Sequence, residues 1–239
     1  MMSNDRQSSL KGRAAGEFVD RRGRPRPVPV IGILGGIASG TTLAADASAE
    51  RGAEVINVDR IGHALLKEKW VIEALQARFG REIIGAEGQV NRRRLGRLVF
   101  ADQAKLEELN RLMHPPMRAR IADRIEHAVS AGARAVVIDA ALLMEHDLGA
   151  SYCTHLIFID VPEVERCRRA ADQRGWPPEE LARREGFQMP LEEKKQAADA
   201  VFPNVSDERT LKDNVIEWFE ELAPARRSSG AVQGGSKQG

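Results

Sequence analysis

The sequence predicts an α/β fold: a parallel sheet covered by helices on both faces. Three observations lead there. Short apolar runs at 28–34, 53–58, 135–140 and 156–160 alternate with longer stretches rich in Ala, Leu, Glu and Arg, the rhythm of strand, crossover helix and strand. The third and fourth runs lack polar alternation, as strands buried on both faces do. The first run leads straight into a glycine-rich turn and then into a helix-forming segment.

The bulk numbers narrow the class of protein. A chain of 239 residues with 42% hydrophobic content suits one main domain with insertions. Its 36 Lys and Arg stand against 35 Asp and Glu, a formal net charge of +1. No long-range field therefore draws it to nucleic acid or anionic lipid, and any anion site has to be local. The apolar runs are strand-sized and the N-terminus has no signal-peptide core. The reading is a cytoplasmic protein with no membrane partner. Cys153 and Cys167 form no CxxC pair and read as ordinary thiols.

The elements follow in order. Residues 1–27 are polar and Arg-rich, a composition that predicts a disordered basic tail. The folded domain is expected to span 28–223. Strand one, 28–34, enters Gly35-Gly36-Ile37-Ala38-Ser39-Gly40-Thr41-Thr42, and Ala44, Ala45 and Ala47 continue as helix. That is the setting of the phosphate-binding P-loop, G-x-x-x-x-G-K-[ST], in which backbone N–H groups and a helix N-terminus wrap a phosphate. Its lysine reaches the β- and γ-phosphates, and its last hydroxyl holds Mg2+. Gly35, Gly40 and Thr42 match, whereas Thr41 stands at the lysine position. An ordinary glycine-rich turn is the competing reading of the loop alone.

Strand two, 53–58, is followed by a helical stretch, 60–131, too long for a simple crossover and expected to form an acceptor-binding insertion. Asp59, placed at the end of strand two, faces the crevice where open α/β sheets bind ligands; it also fits a helix-starting aspartate. Strand three ends in Asp139, the form of a metal-supporting carboxylate or of a strand-end cap. His114 precedes two prolines, which equally fit an extended turn after a helix. After strand four, 163–198 is helical and charged and is expected to act as a lid whose arginines reach phosphates, although charge runs are often solvated faces. A final amphipathic helix covers about 207–222, and 224–239 read as a second disordered tail.

From the loop onward the chain resembles the dephospho-coenzyme A kinase family. Val55-Ile56-Asn57-Val58-Asp59 resembles its V-[IV]-D-A-D, with Asn57 in place of an aspartate. Asn91 and Arg92 with Leu95, Val99 and Phe100 resemble D-R-x-x-L-x-x-x-V-F. His114-Pro115 with Arg118, Asp139 with Leu142, Leu143 and Glu145, Arg184 with Gln188, and Ala198-Asp199 with Asn204 follow in the family's order. The resemblance implies a P-loop kinase that uses ATP and Mg2+ to phosphorylate the ribose 3′-hydroxyl of dephospho-coenzyme A, with those two small molecules as its partners. It implies Asp59 and Arg174 as catalytic residues, and Asp59, Arg92, His114 and Arg118 on the acceptor. Gly36, Ile37, Ala38, Ser39, Gly40, Thr41, Thr42, Leu43, Arg184 and Asn204 would hold ATP, and Thr42 and Asp139 the metal.

The missing lysine leaves a working kinase, with a lid arginine or Lys67, Lys194 or Lys195 covering the gap, beside a catalytically impaired relative that binds nucleotide or a coenzyme A precursor. A P-loop kinase acting on another acceptor is a third reading.

Overall fold

The computed structural model describes residues 18–205 and 207–223. Its centre is a five-stranded parallel sheet of β3 (Val30–Gly35), β4 (Ala53–Asn57), β5 (Ala135–Asp139), β6 (His155–Asp160) and β7 (Ala200–Pro203), in the order β4-β5-β3-β6-β7. The chain leaves β3 for one edge, returns through β5, and then builds outward on the other side through β6. The carboxyl end of β3 is thus a switch point, where open sheets of this kind place their ligand crevice.

Strand alternation divides the interior into two cores. Val30 and Leu34 on β3, with Val136 and Ile138 on β5, face one core. Ile31 and Ile33, with Ala135 and Val137, face the other, the period of 2 expected for a strand. The second core is closed by α1 (Thr41–Ala49), α10 (Glu208–Leu222) and Phe18. The first is closed by the insertion: α2 (Val58–Leu65), α3 (Lys69–Phe79), α4 (Arg92–Phe100) and α5 (Gln103–Ser130). The short α6 (Leu148–Tyr152) precedes β6. The segment expected to act as a lid comprises α7 (Glu163–Arg174), α8 (Pro178–Glu185) and α9 (Leu191–Ala197).

Four sequence expectations are corrected. First, the expected tail is folded from residue 18. β1 (Phe18–Val19) and β2 (Pro25–Arg26) form an antiparallel hairpin around Asp20, whose side chain is fully covered. Asp20 accepts the N–H groups of Arg22 and Arg24 and the guanidiniums of Arg24 and Arg26. Burial alone would raise its carboxyl, but those donors hold it below the usual range. Arg21 reaches Asp199, and Arg22 pairs with Asp147, so the basic residues here bind the domain's own carboxylates. The remainder of that tail and all of 224–239 lie outside the described residues.

Second, His114, Pro115 and Pro116 are not a turn. They sit inside the 28-residue α5. An interior proline costs about 3 kcal/mol or more, and burial of Met113, Ile121, Ile125 and Ala128 along the same helix offsets that cost. Third, β7 was not foreseen; it is a four-residue edge strand ending in proline, where pattern is weakest. Fourth, Asp59 stands in the first turn of α2 and Asn57 ends β4, so the helix-starting reading describes its location.

Candidate active site

The loop between β3 and α1 is shaped by residues lacking bulk. Gly40 caps α1 at φ 98° with no side-chain cap bond, leaving the first N–H groups of that helix pointing into the loop, the arrangement that receives anions. A Cβ on Gly40 would lie 2.5 Å from Asn204 Nδ2. That amide donates to the Ser39 carbonyl at 2.8 Å, so Asn204 braces the loop from behind. A Cβ on Gly35 would meet Ser39 Oγ at 2.3 Å. Ala38 adopts φ 62°, a left-handed conformation that its methyl group disfavours.

At the ends of β4 and β5 stand the polar groups that face this loop. Asn57 and Asp139 are register partners, and Asn57 Nδ2 donates to Asp139 Oδ2 at 2.9 Å. Asn57 Oδ1 also accepts the Arg60 N–H at 2.9 Å and caps α2. Burial pushes the Asp139 carboxyl above its ordinary value; the Asn57 bond opposes the rise and nearby Asp59 adds to it. Asp59 has an exposed edge on the cleft, yet desolvation still raises its carboxyl, with His63 acting in the opposite direction.

The cleft so formed measures ≈ 270 Å³, and loop residues Gly35 to Ala38, Thr41 and Thr42 share it with Asn57, Asp59, Asp139 and Arg174. Beside it lies a groove of ≈ 660 Å³, lined in part by Ala38, Gly40, Thr41, Thr42, Leu43, Arg174 and Asn204. The loop, Asp59, Asp139 and Arg174 are therefore brought together. Among the described residues no cluster of three or more His, Cys, Asp or Glu makes a metal cage. One hydroxyl, Thr42, and one carboxylate, Asp139, on the same cleft fit Mg2+, which is typically held by one or two protein ligands together with water and substrate phosphates.

The other expected residues lie elsewhere. Arg184 lies over the Trp176 ring at 4.0 Å and pairs with Glu180; Arg174 lies over the same ring at 4.9 Å. Arg92 meets His63 Nε2 at 2.6 Å on the insertion. His114 packs on His146, ring centroids 4.4 Å apart, and burial lowers both imidazoles, His146 to about 4. Arg118 donates to the His146 carbonyl and Ser151 Oγ, fixing the segment before β6.

Of the lysines weighed for the gap at Thr41, Lys194 does line the cleft, but it is buried between Glu145 and Gln188, at 3.0 Å from each. Lys195 pairs with Asp160, and Lys67 is exposed just past α2. Two groups that no motif singled out do reach the loop. Glu185 Oε1 accepts the Ile37 N–H at 3.0 Å and pairs with Arg166, a buried arginine of α7.

Sequence comparisons with known proteins agree on one family. A sequence model described as dephospho-CoA kinase matches residues 29–209. The dephospho-CoA kinase of Thermobifida fusca is 33% identical over 195 residues, covering 80% of this chain and 95% of the relative. That of Carboxydothermus hydrogenoformans is 32% identical, covering 81% and 94%. Among solved structures, TT1252 from Thermus thermophilus superposes with a TM-score of 0.72 at 29% identity, covering 82% of this chain and 98% of that one. The dephospho-CoA kinase from Campylobacter jejuni, at 21% identity and a TM-score of 0.57 over 82% and 98%, shares the fold.

Proposed function

This chain belongs to the dephospho-CoA kinase family, and from that premise we propose that it transfers the γ-phosphate of ATP to the ribose 3′-hydroxyl of dephospho-coenzyme A in the cleft between its loop, Asp59 and Asp139. The observation that carries the proposal is the shared cleft itself: a glycine-shaped phosphate cradle and two carboxylates of raised pKa, Asp139 at the end of β5 and Asp59 in the first turn of α2.

Phosphoryl transfer calls for in-line positioning, compensation of charge, and a group that orients or deprotonates the attacking hydroxyl. The backbone of 36–43 would hold the ATP phosphates, with the adjoining groove taking the rest of the nucleotide. Asp59 would accept the 3′-hydroxyl proton as that oxygen bonds to the γ-phosphorus and the bond to the β-phosphate oxygen breaks, releasing ADP. A raised carboxylate is a better proton acceptor than an ordinary one. Thr42 and Asp139 would hold Mg2+, which supplies charge neutralisation at the phosphates. Arg174, on the wall shared by cleft and groove, would add a donor to the transferring phosphate. Arg92, His114 and Arg118 fit the acceptor side through the insertion, with Arg118 chiefly ordering 146–151. We place the reaction in the cytoplasm, in keeping with two free cysteines.

The test is transfer of phosphate from ATP to dephospho-coenzyme A by the purified protein, with coenzyme A measured as product. Turnover that disappears in Asp59→Asn is the expected result. Phosphorylation of some other acceptor in preference, or ATP binding with no transfer, overturns the assignment.

A further inference from the structure

A P-loop without its lysine lacks a cation beside the transferring phosphate. We propose that Arg166 supplies that cation from the opposite wall of the loop, and that Glu185 holds the phosphate's place until nucleotide displaces it. This inference deepens the kinase reading and rests on it for the identity of the reaction.

The geometry is specific. Arg166 lies one turn into α7, and its side chain is 5% exposed. Its Nε donates to the Val161 carbonyl at 3.2 Å, which aims the guanidinium at the loop. There it lies against Gly36: a Cβ on that glycine would be 2.8 Å from Nη1 and 3.0 Å from the guanidinium carbon. The second glycine of the loop is therefore the space in which Arg166 rests. Of the other lid arginines, Arg174 shares the cleft and lies over Trp176, and the remaining four pair with carboxylates of the lid itself. Arg168 pairs with Glu165 and Asp172, Arg169 with Glu165 and the Asn204 carbonyl, and Arg183 and Arg184 with Glu180.

Glu185 identifies what the position recognises. One of its oxygens, Oε1, takes both the Ile37 N–H and Nη1 of Arg166. A loop amide together with a guanidinium is the donor set of a phosphate oxygen, and a carboxylate oxygen reproduces that oxygen's charge and acceptor geometry. Glu185 ends α8 and its side chain keeps a 19% exposed edge, so it can withdraw with α8 when a phosphate enters. Arg166 can then remain in place, exchanging a carboxylate for a phosphate. Its buried charge stays paired in both states, which is what a buried guanidinium requires.

The experiment relocates the charge. Initial rates and ATP binding are measured for the wild type, Arg166→Gln, Glu185→Gln, and the double variant Thr41→Lys/Arg166→Gln, with melting curves for each. Arg166→Gln is expected to lower kcat by about 100- to 1,000-fold, the usual loss for one preorganised transition-state donor. Adding Thr41→Lys should return at least a tenfold share of that rate, which an arginine needed only for packing would not allow. Glu185→Gln should tighten ATP severalfold and leave adenosine binding unchanged.

A kcat for Arg166→Gln within threefold of wild type, or a loss that Thr41→Lys does not repair, overturns the role of Arg166. ATP affinity unchanged or weakened in Glu185→Gln overturns the placeholder role. Should Arg166→Gln fail to fold, Arg166→Gln/Glu185→Gln leaves no unpaired buried charge and carries the same comparison with and without Thr41→Lys. If the wild type transfers no phosphate to dephospho-coenzyme A, the kinase reading falls; calorimetry of ATP against adenosine then judges Arg166 by itself. A tenfold loss of ATP affinity confined to the phosphates supports it, and an unchanged affinity overturns it.

Discussion

Asn57 and Asp139 face each other in register at the ends of neighbouring strands, and the amide of the first donates to the carboxylate of the second at 2.9 Å. The same Asn57 caps α2 through its other atom, so one side chain ties the start of the insertion to the strand that carries Asp139. An aspartate at 57 would preserve the cap and set two carboxylates against one another. Replacing Asn57 with Asp should therefore raise the Asp139 pKa further. A carboxyl raised by folding contributes stability when protonated and loses it as pH rises through the folded value. The expected result is a melting temperature that falls more steeply as pH rises above the ordinary aspartate value of 3.8 in Asn57→Asp than in the wild type, measured without added metal.

Asp59→Asn should lower kcat by about a hundred- to ten-thousandfold, the range for removing a positioned general base, with a smaller change in the KM for ATP. In the wild type, the acid limb of kcat/KM should lie above the ordinary aspartate value of 3.8, because burial of Asp59 favours its neutral form. A limb at or below that value would remove Asp59 from the role.

Ala38 and Gly40 both have positive φ and should respond in opposite ways. Ala38→Gly relieves a left-handed alanine, worth about 1–2 kcal/mol, and should raise the midpoint of denaturant unfolding. Gly40→Ala combines left-handed strain with a contact at 2.5 Å on Asn204 Nδ2. Loss of ATP binding at a modest cost in stability is expected, checked by calorimetry beside a melting curve.

The hairpin at residues 18–26 depends on Asp20. Asp20→Ala removes the carboxylate from half-exposed Arg24 and mostly covered Arg26 and should cost about 1–3 kcal/mol, the scale for losing hydrogen bonds to a charged group. The sign with pH is fixed by its lowered carboxyl. That contribution is complete above the unfolded value of 3.8 and is lost as pH falls through the folded one. In urea titrations the difference between wild type and variant should be smaller at pH 3 than at pH 7.

Much of the fold was legible in the chain. The runs that became β3, β4, β5 and β6 are apolar and short because both their faces are covered, and that pattern is local. The loop was equally legible, since glycine spacing, a preceding strand and a following alanine-rich helix are all neighbours in sequence. The insertion and lid appeared as helical lengths, without their folded positions. The Arg-rich residues at 21–26 were misjudged because composition counts charges and cannot see that Asp20 will be covered by them. Pro115 and Pro116 were misjudged because local propensity forbids a helix that four buried residues of α5 enforce.

By itself, then, the sequence determined the strand and helix rhythm, the phosphate loop and its odd Thr41, and the carboxylates Asp59 and Asp139 that meet it. Only the tertiary structure decided which lid side chain meets the loop. Nothing in the spacing of Arg166, Glu185 and Gly36 links them, because 130 positions of chain separate Gly36 from Arg166 and more separate it from Glu185. Their meeting depends on how α7 and α8 pack over the carboxyl end of β3. A backbone can leave room for a guanidinium at Gly36, but the fold chooses the arginine that fills it.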